Sequence, residues 1–144
     1  IPSVLKTIEE YIPKNNRSQF LQTNKNNIYL DAYNANPSSV ELAVNNFADL
    51  NKENSVVILG DMLELGDEAV KEHLKVVNLV HQKDFSKVIL VGQVYGSLEV
   101  ADDFLQFNNV NYLKKWLLEN NLDNENVLIK DSRGIKLETI VDNL

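Results

Sequence analysis

The chain has 144 residues, 44% of them hydrophobic and 24% charged, which suits one folded core and is too apolar for a disordered chain. Its net charge of -7 comes from 14 basic against 21 acidic residues, and the basic ones are scattered, so neither a nucleic-acid surface nor an anionic-membrane surface is expected. There is no cysteine, which removes disulfides and thiolate metal sites and fits a reducing cytoplasm, and no apolar run approaches the roughly 20 residues that cross a bilayer.

From Ile1 to Ile12 the apolar residues Val4, Leu5, Ile8, Tyr11 and Ile12 recur at helical spacing, and Pro13 ends the segment. Gln19–Thr23 and Asn27–Asp31 read as two short strands around a polar turn, Asn24–Asn26. The loop Ala32-Tyr33-Asn34-Ala35-Asn36-Pro37 follows, and Ser38 or Ser39 is placed to cap the next helix, with Glu41 in its first turn. That helix runs to about Leu50 with Val40, Ala43, Val44 and Phe47 on one face.

Ser55–Leu59 is a continuous apolar run, as in a buried parallel strand. Gly60–Gly66 reads as a loop, Ala69–Lys83 as a helix and Lys87–Val91 as a second buried strand that ends at Gly92. A weaker strand is expected at Phe104–Phe107 and a helix at Val110–Asn120. Asn126–Lys130 is a third buried strand, and Leu137–Leu144 begins a final helix. Strands alternating with helices predict an α/β domain with a Rossmann-like three-layer layout, a mostly parallel sheet covered by helices on both faces. No linker, repeat or low-complexity stretch divides it, so residues 1–144 are expected to form a single domain. Ile1 stands where an initiator Met is absent, and a fragment of a longer protein is expected.

In an open α/β sheet, ligands bind at the carboxyl ends of the strands. Asp31–Pro37, Gly60–Gly66, Gly92–Gly96 and Lys130–Gly134 are predicted to meet there. Singly, each has a plain structural reading. Asp31 can brace a turn, Asn34 and Asn36 can make Asx turns, Glu64 can be a solvated loop charge, and Lys130 and Arg133 can pair with acids. Other chemistries are not supported. There is no G-x-x-x-x-G-K-[ST], and Gly60–Gly66 does not fit G-x-G-x-x-G. His73 and His81 lie eight apart on one predicted helix, about 12 Å of rise, too far for one metal without other ligands, and are expected as surface or partly buried helix residues. No metal site is predicted.

Taken together the segments resemble one family. Asp31-Ala32-Tyr33-Asn34-Ala35-Asn36-Pro37 resembles the D-x-Y-N-A-N-P signature of the third domain of Mur ligases. Leu59-Gly60-Asp61-Met62-Leu63-Glu64-Leu65-Gly66 resembles the L-G-D-M-L-E-L-G loop of the member that uses D-alanyl-D-alanine. Arg17-Ser18-Gln19, Glu72-His73, Val91-Gly92 and Lys130-Asp131-Ser132-Arg133 keep the family's order, so the resemblance runs from about Arg17 to the end.

The resemblance implies the C-terminal domain of a three-domain, ATP- and Mg2+-dependent amide ligase of the bacterial cytoplasm, inactive without its N-terminal and central domains. Its implied substrates are ATP, D-alanyl-D-alanine and UDP-muramoyl-tripeptide, joined through an acyl phosphate. On the nucleotide side it implies Arg17 at the phosphates, Asp31 at the ribose, and Tyr33, Asn34 and Asn36 shaping the loop. On the dipeptide side it implies Lys130, Ser132, Arg133 and Glu64. Asp131 departs from the small residue expected at its position, and a carboxylate pointing into that pocket repels the dipeptide carboxylate.

Overall fold

The computed structural model describes residues 7–9, 18–31, 35–130 and 137–144. Its strands are β1 (Thr7–Glu9), β2 (Ser18–Gln22), β3 (Asn27–Asp31), β4 (Ser55–Gly60), β5 (Lys87–Val91), β6 (Leu105–Phe107) and β7 (Asn126–Lys130). They form one sheet in the order β1-β2-β3-β7-β4-β5-β6. β1, β2 and β3 pair antiparallel, and every other pairing is parallel. The helices are α1 (Pro37–Asp49), α2 (Ala69–Lys83), α3 (Gln93–Ser97) and α4 (Val110–Glu119), with 3₁₀ segments at Gly66–Glu68 and Leu137–Asn143.

The buried strands carry side chains to both faces because both are covered. On one face Val57, Leu59, Val88, Leu90 and Leu128 pack with Val40, Ala43, Val44 and Phe47 of α1 and with Val76, Val77 and Val80 of α2. On the other, Val56, Ile58, Ile89, Val127 and Ile129 pack with Leu113 and Leu117 of α4 and with Leu137, Ile140 and Val141. The expected three-layer arrangement with a mostly parallel sheet is therefore the one observed.

Two expectations are corrected. The first segment is not helical at Thr7–Glu9, which forms a strand with Ile8 opposite Leu21. Without it β2 would leave a row of backbone donors and acceptors unpaired, and that tertiary demand outweighs a helical spacing of apolar residues. Asn36, rather than Ser38 or Ser39, caps α1: its side chain accepts from the Ser39 N–H at 2.9 Å, and Ser39 Oγ accepts from the Asn36 N–H at 3.1 Å. Pro37 takes the first helical position, where it has no donor to lose, and Glu41 lies beyond the first turn. Gly92–Gly96, predicted at the ligand edge, runs directly into the short helix α3.

The chain order explains where a ligand can enter. The connections β3-α1-β4 and β4-α2-β5 lie on one face, whereas the 3₁₀ segment that follows β7 lies on the other. β7 sits between β3 and β4, so the chain leaves neighbouring strands toward opposite faces at their carboxyl ends. That divergence opens the crevice in a doubly wound sheet.

Candidate active site at the carboxyl edge of the sheet

β3 and β7 run parallel in register, with Asp31 beside Lys130 and Leu59 of β4 on the other flank of Lys130. Side chains alternate along a strand. Tyr29 and Leu128 point toward the α1 and α2 face, so Asp31 and Lys130, two residues further on, point there too. The Lys130 ammonium lies 3.0 Å from Asp31 Oδ1, with only 2% and 6% of the two side chains exposed. Burial removes both charges from water, and each offsets the cost of the other. Lys130 was expected on the dipeptide side and Asp31 on the nucleotide side, and the fold brings them into one ion pair at the base of the crevice.

Beside them, β4 runs into the segment Asp61–Leu65. The Asp61 N–H donates to Val91 O at 3.0 Å and extends the β4–β5 ladder by one step. The Asp61 side chain is buried and both of its oxygens accept backbone bonds from α3, from Val94 N–H at 2.9 Å and Tyr95 N–H at 3.0 Å. Gly92 has φ +137°, and a Cβ there would overlap the Asp61 carboxylate. Only glycine meets both demands. Leu63 and Glu64 at the middle of the segment are exposed, and Glu64 holds a left-handed φ of 64°.

His73 of α2 is fully buried, deeper than the surface or partly buried position expected of it; His81 on the same helix is exposed. The His73 ring meets Tyr95 edge to face at 4.6 Å. Burial, and secondarily the Asp61 charge, push the Tyr95 phenol well above its ordinary value.

Asn36 stands at the mouth of the crevice with its side chain occupied in the α1 cap. Next to it a groove of about 190 Å³ is lined by Pro37, Ser38, Glu41 and Lys75. Glu64 is on the same edge but touches neither Asp31 nor Lys130 through any described ion pair. Arg17, Tyr33, Asn34, Asp131, Ser132 and Arg133 lie outside the described residues. Sequence reasoning missed Asp61, His73 and Tyr95 as a connected group. The pairing of an Asp directly after a buried strand with a Gly directly after the next was the available signal.

Comparison with known proteins agrees with this layout. Residues 16–119 match the family described as Mur ligase, glutamate ligase domain. A UDP-N-acetylmuramoyl-tripeptide–D-alanyl-D-alanine ligase of Rickettsia prowazekii is 32% identical over 130 residues, 88% of this chain and 29% of that protein. The chain thus spans under a third of the length of this relative. A crystal structure of MurF from Acinetobacter baumannii superposes with a TM-score of 0.74 at 26% identity, covering 89% of this chain and 29% of that one. The MurF ligase of Thermotoga maritima, solved in complex with ADP, shares the fold with a TM-score of 0.69 at 18% identity, over 96% of this chain and 31% of that one. With the family match covering most of the chain and the fold agreeing, this chain belongs to the family described as Mur ligase, glutamate ligase domain.

Proposed function

We propose that this chain is the C-terminal domain of an ATP-dependent ligase that joins D-alanyl-D-alanine to UDP-N-acetylmuramoyl-tripeptide in peptidoglycan synthesis. The observation that carries the proposal is the buried Asp31–Lys130 pair beside the Asp61–Leu65 segment at the sheet's divergence point. The likeness to the Rickettsia prowazekii ligase, which is named for this reaction, supports the choice of substrates.

In the proposed reaction the terminal carboxylate of the tripeptide attacks the γ-phosphorus of ATP, giving an acyl phosphate and ADP. The free amine of the dipeptide attacks the acyl carbon and loses a proton, and the tetrahedral adduct expels phosphate to leave the amide. An acyl phosphate exposed to water hydrolyses, so this domain contributes by closing over it and by holding the amine in line. Mg2+ and the main phosphate-binding loop are assigned to the central domain.

Asp31 is proposed to accept from the ribose hydroxyls, and Arg17 to offset phosphate charge. Tyr33 and Asn34 shape the nucleotide loop, with Asn36 fixing its exit into α1. The charge of Lys130 is already countered by Asp31, so the dipeptide carboxylate falls chiefly to Arg133 and Ser132, with Lys130 setting the pocket floor. Glu64 borders the same pocket. The enzyme so described works in the bacterial cytoplasm, where its nucleotide substrates are; among the described residues no helix is long and apolar enough to cross a membrane.

The test is phosphate release by the full-length protein with ATP and UDP-muramoyl-tripeptide, and a panel of amines. Release is expected with D-alanyl-D-alanine and not with L-alanyl-L-alanine or glutamate. Equal turnover with glutamate would identify another amide ligase of the same superfamily. The isolated chain is expected to release none, and release sensitive to Lys130→Ala would refute the division of labour.

A further inference from the structure

Three backbone anchors fix the base of the Asp61–Leu65 segment, and none of them belongs to the segment's exposed middle. The first is the Asp61 N–H on Val91 O. The second is the Asp61 carboxylate, which spans two N–H groups of α3. The third comes from α2. His73 Nδ1 lies 2.6 Å from Ala69 O, and a carbonyl only accepts, so Nδ1 carries the proton. That leaves the lone pair of Nε2 to accept from the Met62 N–H at 2.9 Å. Both ring nitrogens are therefore engaged, and the tautomer follows from the partners. Met62 itself is buried in the core, whereas Leu63 next to it is 45% exposed and Glu64 is held left-handed.

We infer that His73 and Asp61 are positioning residues for the amine substrate: they clamp the start of the segment that leaves β4, at Asp61 and Met62, so that Leu63 and Glu64 are presented to the dipeptide in one fixed conformation. The inference rests on the reading of this segment as a wall of the dipeptide pocket. A loop already ordered before binding loses less conformational freedom when the ligand arrives. A site residue held only by its own backbone tolerates displacement of the order that weakens binding and in-line attack. His73 touches no substrate in this account. It acts through one hydrogen bond to Met62, and the bond needs an acceptor at the Nε2 position.

The experiment uses steady-state kinetics of the full-length protein with His73→Leu, His73→Gln, Asp61→Asn and Glu64→Ala. Leucine fills the space without an acceptor, and glutamine places its Oε1 near the position of Nε2. His73→Leu is expected to raise the KM for D-alanyl-D-alanine by about tenfold or more while the KM for ATP stays within about twofold. His73→Gln restores most of the loss. Should His73→Leu fail to fold, Asp61→Asn, which cannot accept both α3 bonds, is expected to show the same split. A fall in kcat with both KM values unmoved, or an equal rise in both, overturns the inference. If Glu64→Ala raises the dipeptide KM and the His73 and Asp61 variants do not, positioning fails alone. If none of the four moves it, the pocket reading fails and the inference falls with it.

Discussion

At residue scale the Asp31–Lys130 pair makes a direct prediction. Lys130→Ala leaves a carboxylate buried without its cation, and breaking one side of a buried pair destabilises by roughly 3–5 kcal/mol. Asp31→Asn with Lys130→Met replaces both charges and is expected to recover much of that loss. Urea unfolding of the two variants and the parent measures the difference, and an Ala variant within about 1 kcal/mol of the parent would sink the buried-pair account. Tyr95 makes a second prediction. Its hydroxyl has no hydrogen-bond partner among the described residues. Burial and the charge of Asp61 hold its phenol protonated in the folded chain, above the ordinary value near 10 at which the unfolded chain releases the proton. The folded pKa is raised, so this contribution is complete below pH 10 and is lost above it, at about 1.4 kcal/mol per pH unit. Tyr29, raised by partial burial, adds to the same trend. Tyr95→Phe should change stability little at pH 7, and should make its decline between pH 10 and 11 shallower by about one proton's slope. Equal alkaline slopes in parent and variant would remove Tyr95 from the explanation.

At element scale the cap of α1 is the exposed test. Asn36 and Ser39 satisfy each other's backbone donors, and Asn36→Ala should cost about 1 kcal/mol by thermal or urea unfolding. Asn36→Asp, which keeps the acceptor at a helix start, should cost far less. Asn36 shows what was legible. Its place in the D-x-Y-N-A-N-P signature marked it for the nucleotide loop, while its local use as a cap was read onto its neighbours Ser38 and Ser39. The long elements were readable because each carries its own period: α2 and the strands β5 and β7 lie where the pattern put them. Thr7–Glu9 and α3 were not, because what decides them lies elsewhere in the chain. β1 exists to pair β2, and α3 starts where Asp61, some thirty residues earlier, receives its first N–H groups. The same reason hid the clamp: His73 reads as one more helix residue until Met62 is folded against it.

At the scale of the whole molecule, the proposed chemistry falls at one end of the sheet. The opposite end is closed by structural bonds. Asn26 is buried and donates to Leu122 O at 2.9 Å and Leu144 O at 2.7 Å, while its Oδ1 accepts from Glu125 N–H at 3.0 Å. Asn27 and Asn54 add side-chain bonds to Asn126 and to Asn124 O there. These bonds tie the turn after β2 to the entry of β7. The carboxyl end instead collects the buried ion pair, the clamped Asp61–Leu65 segment and α3. If the domain closes on its substrates, the consequence should follow this polarity. Amide hydrogen exchange of the full-length protein, with and without a non-hydrolysable ATP analogue plus D-alanyl-D-alanine, reads it. Exchange is expected to slow in 31–37, 60–66 and 92–96, and to stay unchanged in 23–26, 50–54 and 120–125. Protection has to be larger with both ligands than with either one, because only both together complete the closed site. Slowing spread evenly over the two ends would mean that ligands tighten the fold as a whole. Slowing confined to the Asn26 end would put the functional edge on the wrong side of the sheet, and with it the assignment of Asp31, Lys130 and Glu64.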